Sequence, residues 1–134
     1  MKNIGLIGCG NIAETYFRAP EYCNNINFVA CADINLDAAK KTAEQYNIIP
    51  LSVDEILTDK NIDIILNLTI PQAHYEISKR ALESNKHVYC EKPMSVKFDD
   101  AKELLNLAKK NSLYIGNAPD TFLGGGIQKT KELI

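Results

Sequence analysis

Gly8-Cys9-Gly10-Asn11-Ile12-Ala13 has the form G-x-G-x-x-A, follows the apolar run 3–8 (NIGLIG) and precedes a helical pattern. A chain with this turn must leave a strand, reverse tightly and enter a helix within a few residues. Gly8 permits the tight turn. Gly10 lacks a Cβ, so a ligand can approach the backbone closely. Ala13 is small enough for the helix to pack closely on the strand. The helix start offers N–H groups and a positive dipole end, which suit a phosphate. Alone the motif is weakly specific; its placement inside a strand–turn–helix unit strengthens it.

Downstream, apolar runs alternate with amphipathic stretches. Residues 27–32 (NFVACA), 63–68 (DIILNL), 86–91 (KHVYCE) and 113–116 (LYIG) read as strands. Residues 48–51 form a poorer strand, which belongs at an edge because Pro50 cannot donate to a ladder. Helices are expected over 11–18, 35–46, 53–57, about 73–84 and about 97–110, with a last one over 127–134. In the first, Ile12, Ala13, Tyr16 and Phe17 share a face. In the fifth, Phe98, Ala101, Leu104, Leu105 and Ala108 form one stripe. Asp99 and Asp100 sit in its first turn and Lys109 and Lys110 in its last, as the helix dipole favours. The strands are continuous apolar runs, so they are buried on both faces. Strand–helix alternation gives an α/β fold: a doubly wound parallel sheet of Rossmann type, helices on both faces, strand order 3-2-1-4-5-6.

Composition narrows the partners. The chain has 134 residues, 46% of them apolar, enough for one domain with a real core. A net charge of -2 gives no basis for a nucleic-acid or anionic-membrane partner. No apolar run approaches membrane-spanning length. The strand pattern begins at the third residue, which leaves no room for a signal peptide, so a cytoplasmic protein is expected. Cys9, Cys23, Cys31 and Cys90 show no CxxC spacing, and only His74 and His87 are available as co-ligands, so no metal site is expected. Cys31 and Cys90 read as small buried hydrophobes, and packing is also expected for Cys9.

Asp33 ends the second strand, twenty residues after Ala13. An acid there can accept hydrogen bonds from an adenosine ribose and would repel a 2′-phosphate. Ile34 and Asn35 supply no cation, so NAD is favoured, with NADP possible as cofactor. S-adenosylmethionine enzymes share a glycine-rich turn and an acid after strand two, but their glycine spacing differs.

Ligands of open α/β sheets lie beyond the carboxyl ends of the strands. Strand four ends in Asn67-Leu68-Thr69-Ile70-Pro71, with His74 just beyond, and strand five in Glu91-Lys92-Pro93. An ammonium at Lys92 can bond a nicotinamide ribose or a substrate hydroxyl and take part in proton transfer. A surface lysine at a strand end looks the same, and the residues alone leave both open. For His74, packing or a helix-start hydrogen bond is the plainer role. His87 opens strand five at its far end and is assigned no chemistry.

These residues together resemble the N-terminal domain of the glucose–fructose oxidoreductase, inositol dehydrogenase and rhizopine-catabolism (Gfo/Idh/MocA) family. The resemblance rests on residues 8–13 (GCGNIA), Ala32-Asp33, residues 63–71 with His74, Ala81-Leu82 and, above all, residues 86–93 (KHVYCEKP) followed by Met94-Ser95. Residues 118–126 (APDTFLGGG) look like a segment of sugar- and polyol-type members. The resemblance implies that Gly8, Gly10, Asn11 and Ile12 line the dinucleotide phosphates and that Asp33 holds the adenosine ribose. Thr69, Pro71 and His74 would border the middle of the cofactor. Glu91 and Lys92 would approach the nicotinamide ribose, with Lys92 also reaching substrate as a catalytic residue. It implies a cis Lys92–Pro93 bond.

It further implies an NAD-dependent dehydrogenase that moves a hydride to or from a secondary alcohol of a sugar or polyol. Family members carry a second, substrate-selecting domain, often the dimer contact, so a homo-oligomer is implied for the full-length protein. The expected organisation is a dinucleotide domain over 1–118, with 119–134 starting a crossover toward that second domain. A chain with this domain alone is expected to turn over negligibly. A non-catalytic nucleotide-sensing module and a Rossmann reductase of another substrate class remain open at this point.

Overall fold

A computed structural model describes residues 1–119 and 125–133; for residues 125–128 only the helical backbone is described. Most of the polyol-type stretch, residues 120–124, lies outside the described residues. Six strands, β1 (Lys2–Ile7), β2 (Ile26–Ala32), β3 (Ile49–Pro50), β4 (Ile64–Asn67), β5 (His87–Cys90) and β6 (Ile115–Asn117), form one sheet of order β3-β2-β1-β4-β5-β6. Every pairing is parallel. This is the expected doubly wound order, with Pro50 at an edge.

Successive residues along the strands feed opposite faces, which is why the strands read as unbroken apolar runs. Ile7, Ala32 and Ile65 join a core with Ile56, Leu57, Leu82 and Leu104 from the helices α3 (Val53–Thr58), α4 (Pro71–Glu83) and α5 (Phe98–Lys110). Leu6, Cys31 and Leu66 face the other way, onto Ala13 of α1 (Ala13–Phe17) and Ala43 of α2 (Leu36–Tyr46). The last described element is α6 (Gly125–Leu133).

Local signals set the helix ends. The Asn35 side chain accepts from the Asp37 and Ala38 N–H groups, and α2 ends on left-handed Asn47. Ser52 and Glu55 form a capping box on α3, and Pro71 opens α4 at a position that lacks an N–H partner anyway.

Three expectations shift. Helix one is only five residues long, because the chain tightens into a 3₁₀ turn at Ala19–Glu21 around Pro20; Ile12 lies exposed at its N-cap instead of on the packed face. In α5, Leu104 and Ala108 are buried, but Phe98 is 82% and Leu105 51% exposed, so the inward stripe is narrower than the apolar pattern. Strand six begins two residues later than expected, after the left-handed turn residue Ser112 and the Leu113–Tyr114 segment.

Lys86 is a buried cation beneath the amino end of the sheet. Its Nζ donates to the Asp59 carbonyl at 2.5 Å and the Ile62 carbonyl at 2.7 Å, just past the end of α3. Burial pushes its ammonium below the usual lysine range. The folded state therefore sheds this proton at lower pH than the unfolded state, so stability rises with pH between the two values. Lys86→Met leaves both carbonyls without that donor and is expected to cost about 2–4 kcal/mol at neutral pH. Urea denaturation at neutral and alkaline pH checks this: the variant should also lose the alkaline gain of the wild type.

Candidate dinucleotide and active site

The glycine turn and the ends of β2, β4 and β5 share one edge of the sheet. Gly8 leaves β1 with φ +104, a conformation that suits glycine, and a Cβ there would lie 2.6 Å from the Leu68 carbonyl. The turn is thus pressed against the exit of β4. Gly10 is the opposite case: a Cβ there would meet nothing within 4 Å. Backbone at Gly10 is open to an approaching group, while Ala13, two residues behind Asn11, is buried against β1 and β4 side chains. These are the two properties a pyrophosphate cradle needs.

Asp33 is locked to this turn. Its Oδ2 accepts from the Cys9 N–H at 2.7 Å and its Oδ1 from the Asn35 N–H at 2.8 Å. Each oxygen keeps a further lone pair, so the carboxylate is oriented yet can still accept from ribose hydroxyls. Ile34 is fully exposed and Asn35 is committed to the α2 cap, so neither adds positive charge. A cation lies farther along. Lys41 of α2 lines a cleft of about 340 Å³ together with Cys9, Gly10 and Asn11. Helical periodicity marks Lys41 only as an outward residue, and no linear signal links it to the turn.

A second cleft, of about 300 Å³, is lined by Ile12, Leu68, Thr69, Pro71, His74, Glu91 and Lys92. Six of those seven are residues singled out in the sequence. Asn67, at the end of β4, organises its floor. Its amide donates to the His74 carbonyl and Ser78 Oγ, both at 3.0 Å, and its Oδ1 accepts from Thr69 Oγ1 at 2.7 Å and the Thr69 N–H at 3.2 Å. His74 is 1% exposed, and its ring lies between two backbone carbonyls, Nδ1 2.6 Å from that of Pro93 and Nε2 2.9 Å from that of Thr69; a neutral imidazole donates to one of them. It ties the β4 exit to the β5 exit from below, so it shapes the cleft by bracing its walls. This matches the plainer role expected for it.

At the end of β5 the Lys92–Pro93 bond is cis. Glu91 is half-buried and Lys92 exposed. The Glu91 N–H donates to the Asn67 carbonyl at 2.9 Å, and the Glu91 carbonyl accepts from Asn117 Nδ2 at 3.0 Å. Asn67 and Asn117 were not singled out in the sequence. A buried asparagine at a strand end is the available signal for the first; nothing marks the second. His87 lies at the far end of β5, where its Nδ1 accepts from the Tyr114 N–H. A cleft of about 740 Å³ opens at that amino-terminal edge beside Lys86 and His87. It carries none of the nominated residues and is not where an open α/β sheet receives its ligand.

A doubly wound parallel sheet whose glycine turn, Asp33 and Glu-Lys-Pro corner share one edge fits the dinucleotide-binding domains of Rossmann type. Residues 2–118 match the sequence profile of the oxidoreductase family with NAD-binding Rossmann fold, GFO_IDH_MocA. The chain belongs to the Gfo/Idh/MocA family. The myo-inositol 2-dehydrogenase of Thermotoga maritima is 24% identical over 133 residues, 98% of this chain and 40% of that protein. Among solved structures, the WlbA dehydrogenase of Chromobacterium violaceum, in complex with NADH and UDP-GlcNAcA, superposes with TM-score 0.90 at 26% identity, covering 98% of this chain and 39% of that one. The biliverdin reductase of Synechocystis, in complex with biliverdin and NADP+, gives TM-score 0.90 at 25% identity, covering 97% and 42%. The chain therefore spans about two fifths of the length of these proteins.

Proposed function

We propose that this chain is the cofactor-holding part of an NAD-dependent dehydrogenase acting on a secondary alcohol of a sugar, polyol or related compound. The observation that carries the reading is the gathering of Ile12, Thr69, Glu91 and Lys92 around one cleft at the carboxyl edge of the sheet, next to the Gly10 opening. The inositol dehydrogenases among its relatives support the substrate class.

When bound, the nicotinamide ring supplies the hydride acceptor. The residues of this chain bind and orient around it. Gly8, Gly10, Asn11 and Ile12 offer backbone to the phosphates, and Asp33 accepts from the adenosine ribose. Thr69, Pro71 and the wall braced by His74 border the middle of the dinucleotide. Glu91 and Lys92 meet the nicotinamide ribose. Lys92 is the catalytic residue here: its neutral amine accepts the hydroxyl proton as the alcohol is oxidised, and its ammonium returns that proton to the oxygen when the carbonyl is reduced. Its substrate-side partners would come from a second domain, together with the contacts that close the full-length oligomer. Residues 1–118 form the dinucleotide domain in this reading, and 119–134 lead toward that second domain. Residues 1–134 by themselves are expected to turn over negligibly, because the wall that positions substrate and excludes water would come from that second domain.

Calorimetric titration with NAD and NADP tests the cofactor side. Wild type should bind NAD more tightly. Asp33→Ala should weaken NAD by about 10–100-fold, the loss of hydrogen bonds to a charged acceptor, and narrow the gap to NADP. Equal binding of both cofactors by the wild type would remove the preference drawn from Asp33. Absence of binding to either, or substantial polyol oxidation by residues 1–134, would count against the corresponding part of the reading.

A further inference from the structure

The face of α1 that packs on the sheet carries a phenol that reaches across the cleft rim. Tyr16 Oη donates to Glu91 Oε1 at 2.6 Å, between residues 75 apart in sequence. The other oxygen of that carboxylate, Oε2, accepts the Lys92 N–H at 2.9 Å. Both oxygens of Glu91 are therefore engaged, one by the residue it precedes and one by the helix that opens behind the glycine turn. The Tyr16 ring is itself held, packing on the core cluster behind α1 and meeting Tyr89 edge-on at 6.4 Å between centroids. Burial, and then the bond to Glu91, push its phenol well above the usual range, so it stays a donor throughout the physiological range. A hydrogen bond to a carboxylate is shorter and about twice as strong as a neutral one.

We propose that Tyr16 is a positioning residue: its hydroxyl fixes the Glu91 carboxylate and so sets the Glu91–Lys92 corner in register with the glycine-rich turn around a bound dinucleotide. The proposal rests on the reading of that corner as the nicotinamide end of the site. The turn meets the phosphates and the corner meets the far ribose. The only element joining them through a side chain, among the described contacts of Glu91, is α1 through Tyr16. Loss of the hydroxyl frees one carboxylate oxygen to rotate away, which misplaces the corner without touching the phosphate cradle.

Calorimetry with NAD and with ADP separates the two ends, since ADP carries the adenosine and pyrophosphate but no nicotinamide ribose. Tyr16→Phe keeps the ring and its packing. It should weaken NAD by about 3–10-fold, the worth of one well-placed hydrogen bond, while ADP affinity stays within about twofold. Glu91→Ala removes the acceptor and leaves Tyr16 in place. It should give at least that loss, confined to NAD, and in that background Tyr16→Phe should add nothing. The second variant keeps the test informative if the first fails to fold. If Tyr16→Phe changes neither ligand, weakens both alike, or acts equally with Glu91 absent, Tyr16 is a packing residue and the proposal falls. If instead the wild type binds ADP as tightly as NAD, the assignment of Glu91 and Lys92 to the nicotinamide end falls first, and this proposal with it.

Discussion

Gly8→Ala should destabilise the fold severely, whereas Gly10→Ala should fold normally and bind its cofactor at least about tenfold more weakly. The two glycines sit two residues apart in one motif but answer to different constraints. At Gly8 the backbone has φ +104, and an added Cβ would come within 2.6 Å of the carbonyl carbon and oxygen of Leu68 and 2.8 Å of the Thr69 nitrogen. All three are main-chain atoms of the neighbouring strand exit, so no side chain can swing aside. The conformational penalty alone is about 1–2 kcal/mol; with the backbone overlap, a total above about 4 kcal/mol is expected. Against a typical domain stability of about 5–15 kcal/mol, that removes from about a quarter to most of the margin. At Gly10 an added methyl meets nothing within 4 Å. Its effect on stability should stay within about 1 kcal/mol and could be favourable, through the unfolded chain. In the proposed site the same methyl would enter the space of the pyrophosphate, so NAD affinity should fall by at least about tenfold, the equivalent of about 1.4 kcal/mol. Thermal melts by circular dichroism and NAD titration check the pair. A Gly10→Ala protein that binds NAD like the wild type would mean the phosphates do not lie there.

Asn67→Leu is the second large effect. The side chain has nearly the right volume but none of the four bonds that Asn67 makes to His74, Ser78 and Thr69. Asn67 is fully buried, so the groups left behind find no ready replacement in water. A loss of about 3–5 kcal/mol is expected, more than the sum of ordinary exposed bonds because the network is buried and shared. Asn67→Asp sharpens the test. A carboxylate there would face the His74 carbonyl where an N–H now donates, so the folded state favours its protonated form. Its folded pKa then lies above the unfolded value of about 3.9. The variant should come closest to wild-type stability below that pH and lose it as pH rises through the folded value. Urea denaturation at acid and neutral pH reads both; a Leu variant within about 1 kcal/mol of wild type would show that the network contributes little.

The sheet order and both core faces were legible because strand and helix periods are local. A run such as 63–68 must be buried on both sides, and the strand–helix alternation admits few topologies. The glycine turn and Asp33 were legible for the same reason, as each lies in a motif of fixed spacing. Periodicity failed where solvent, not pattern, decides. Phe98 and Leu105 continue the apolar stripe of α5, yet its neighbours bury Leu104 and Ala108, cover Ala101 and Leu107 in part and leave those two to solvent. Bonds that close over long sequence distances left no local trace. The Cys9 N–H that locks Asp33 lies 24 residues away, the Tyr16 phenol 75 from Glu91, and the Asn117 amide 26 from the Glu91 carbonyl. The family resemblance named the Glu-Lys-Pro corner; the contacts that hold it came only with the fold.

The two ends of the sheet have a consequence for how this domain behaves in crowded solution. An exposed strand margin is a template on which another chain can polymerise. Here one margin is β3, two residues long, and one of those residues is Pro50, which has no N–H to offer. The other is β6, three residues long. At most a few hydrogen bonds could form on either side, too few to nucleate stacking between molecules. The longest strands, β1 and β2, have partners on both sides. The domain keeps its most adhesive backbone indoors, so it should resist fibril formation even when concentrated.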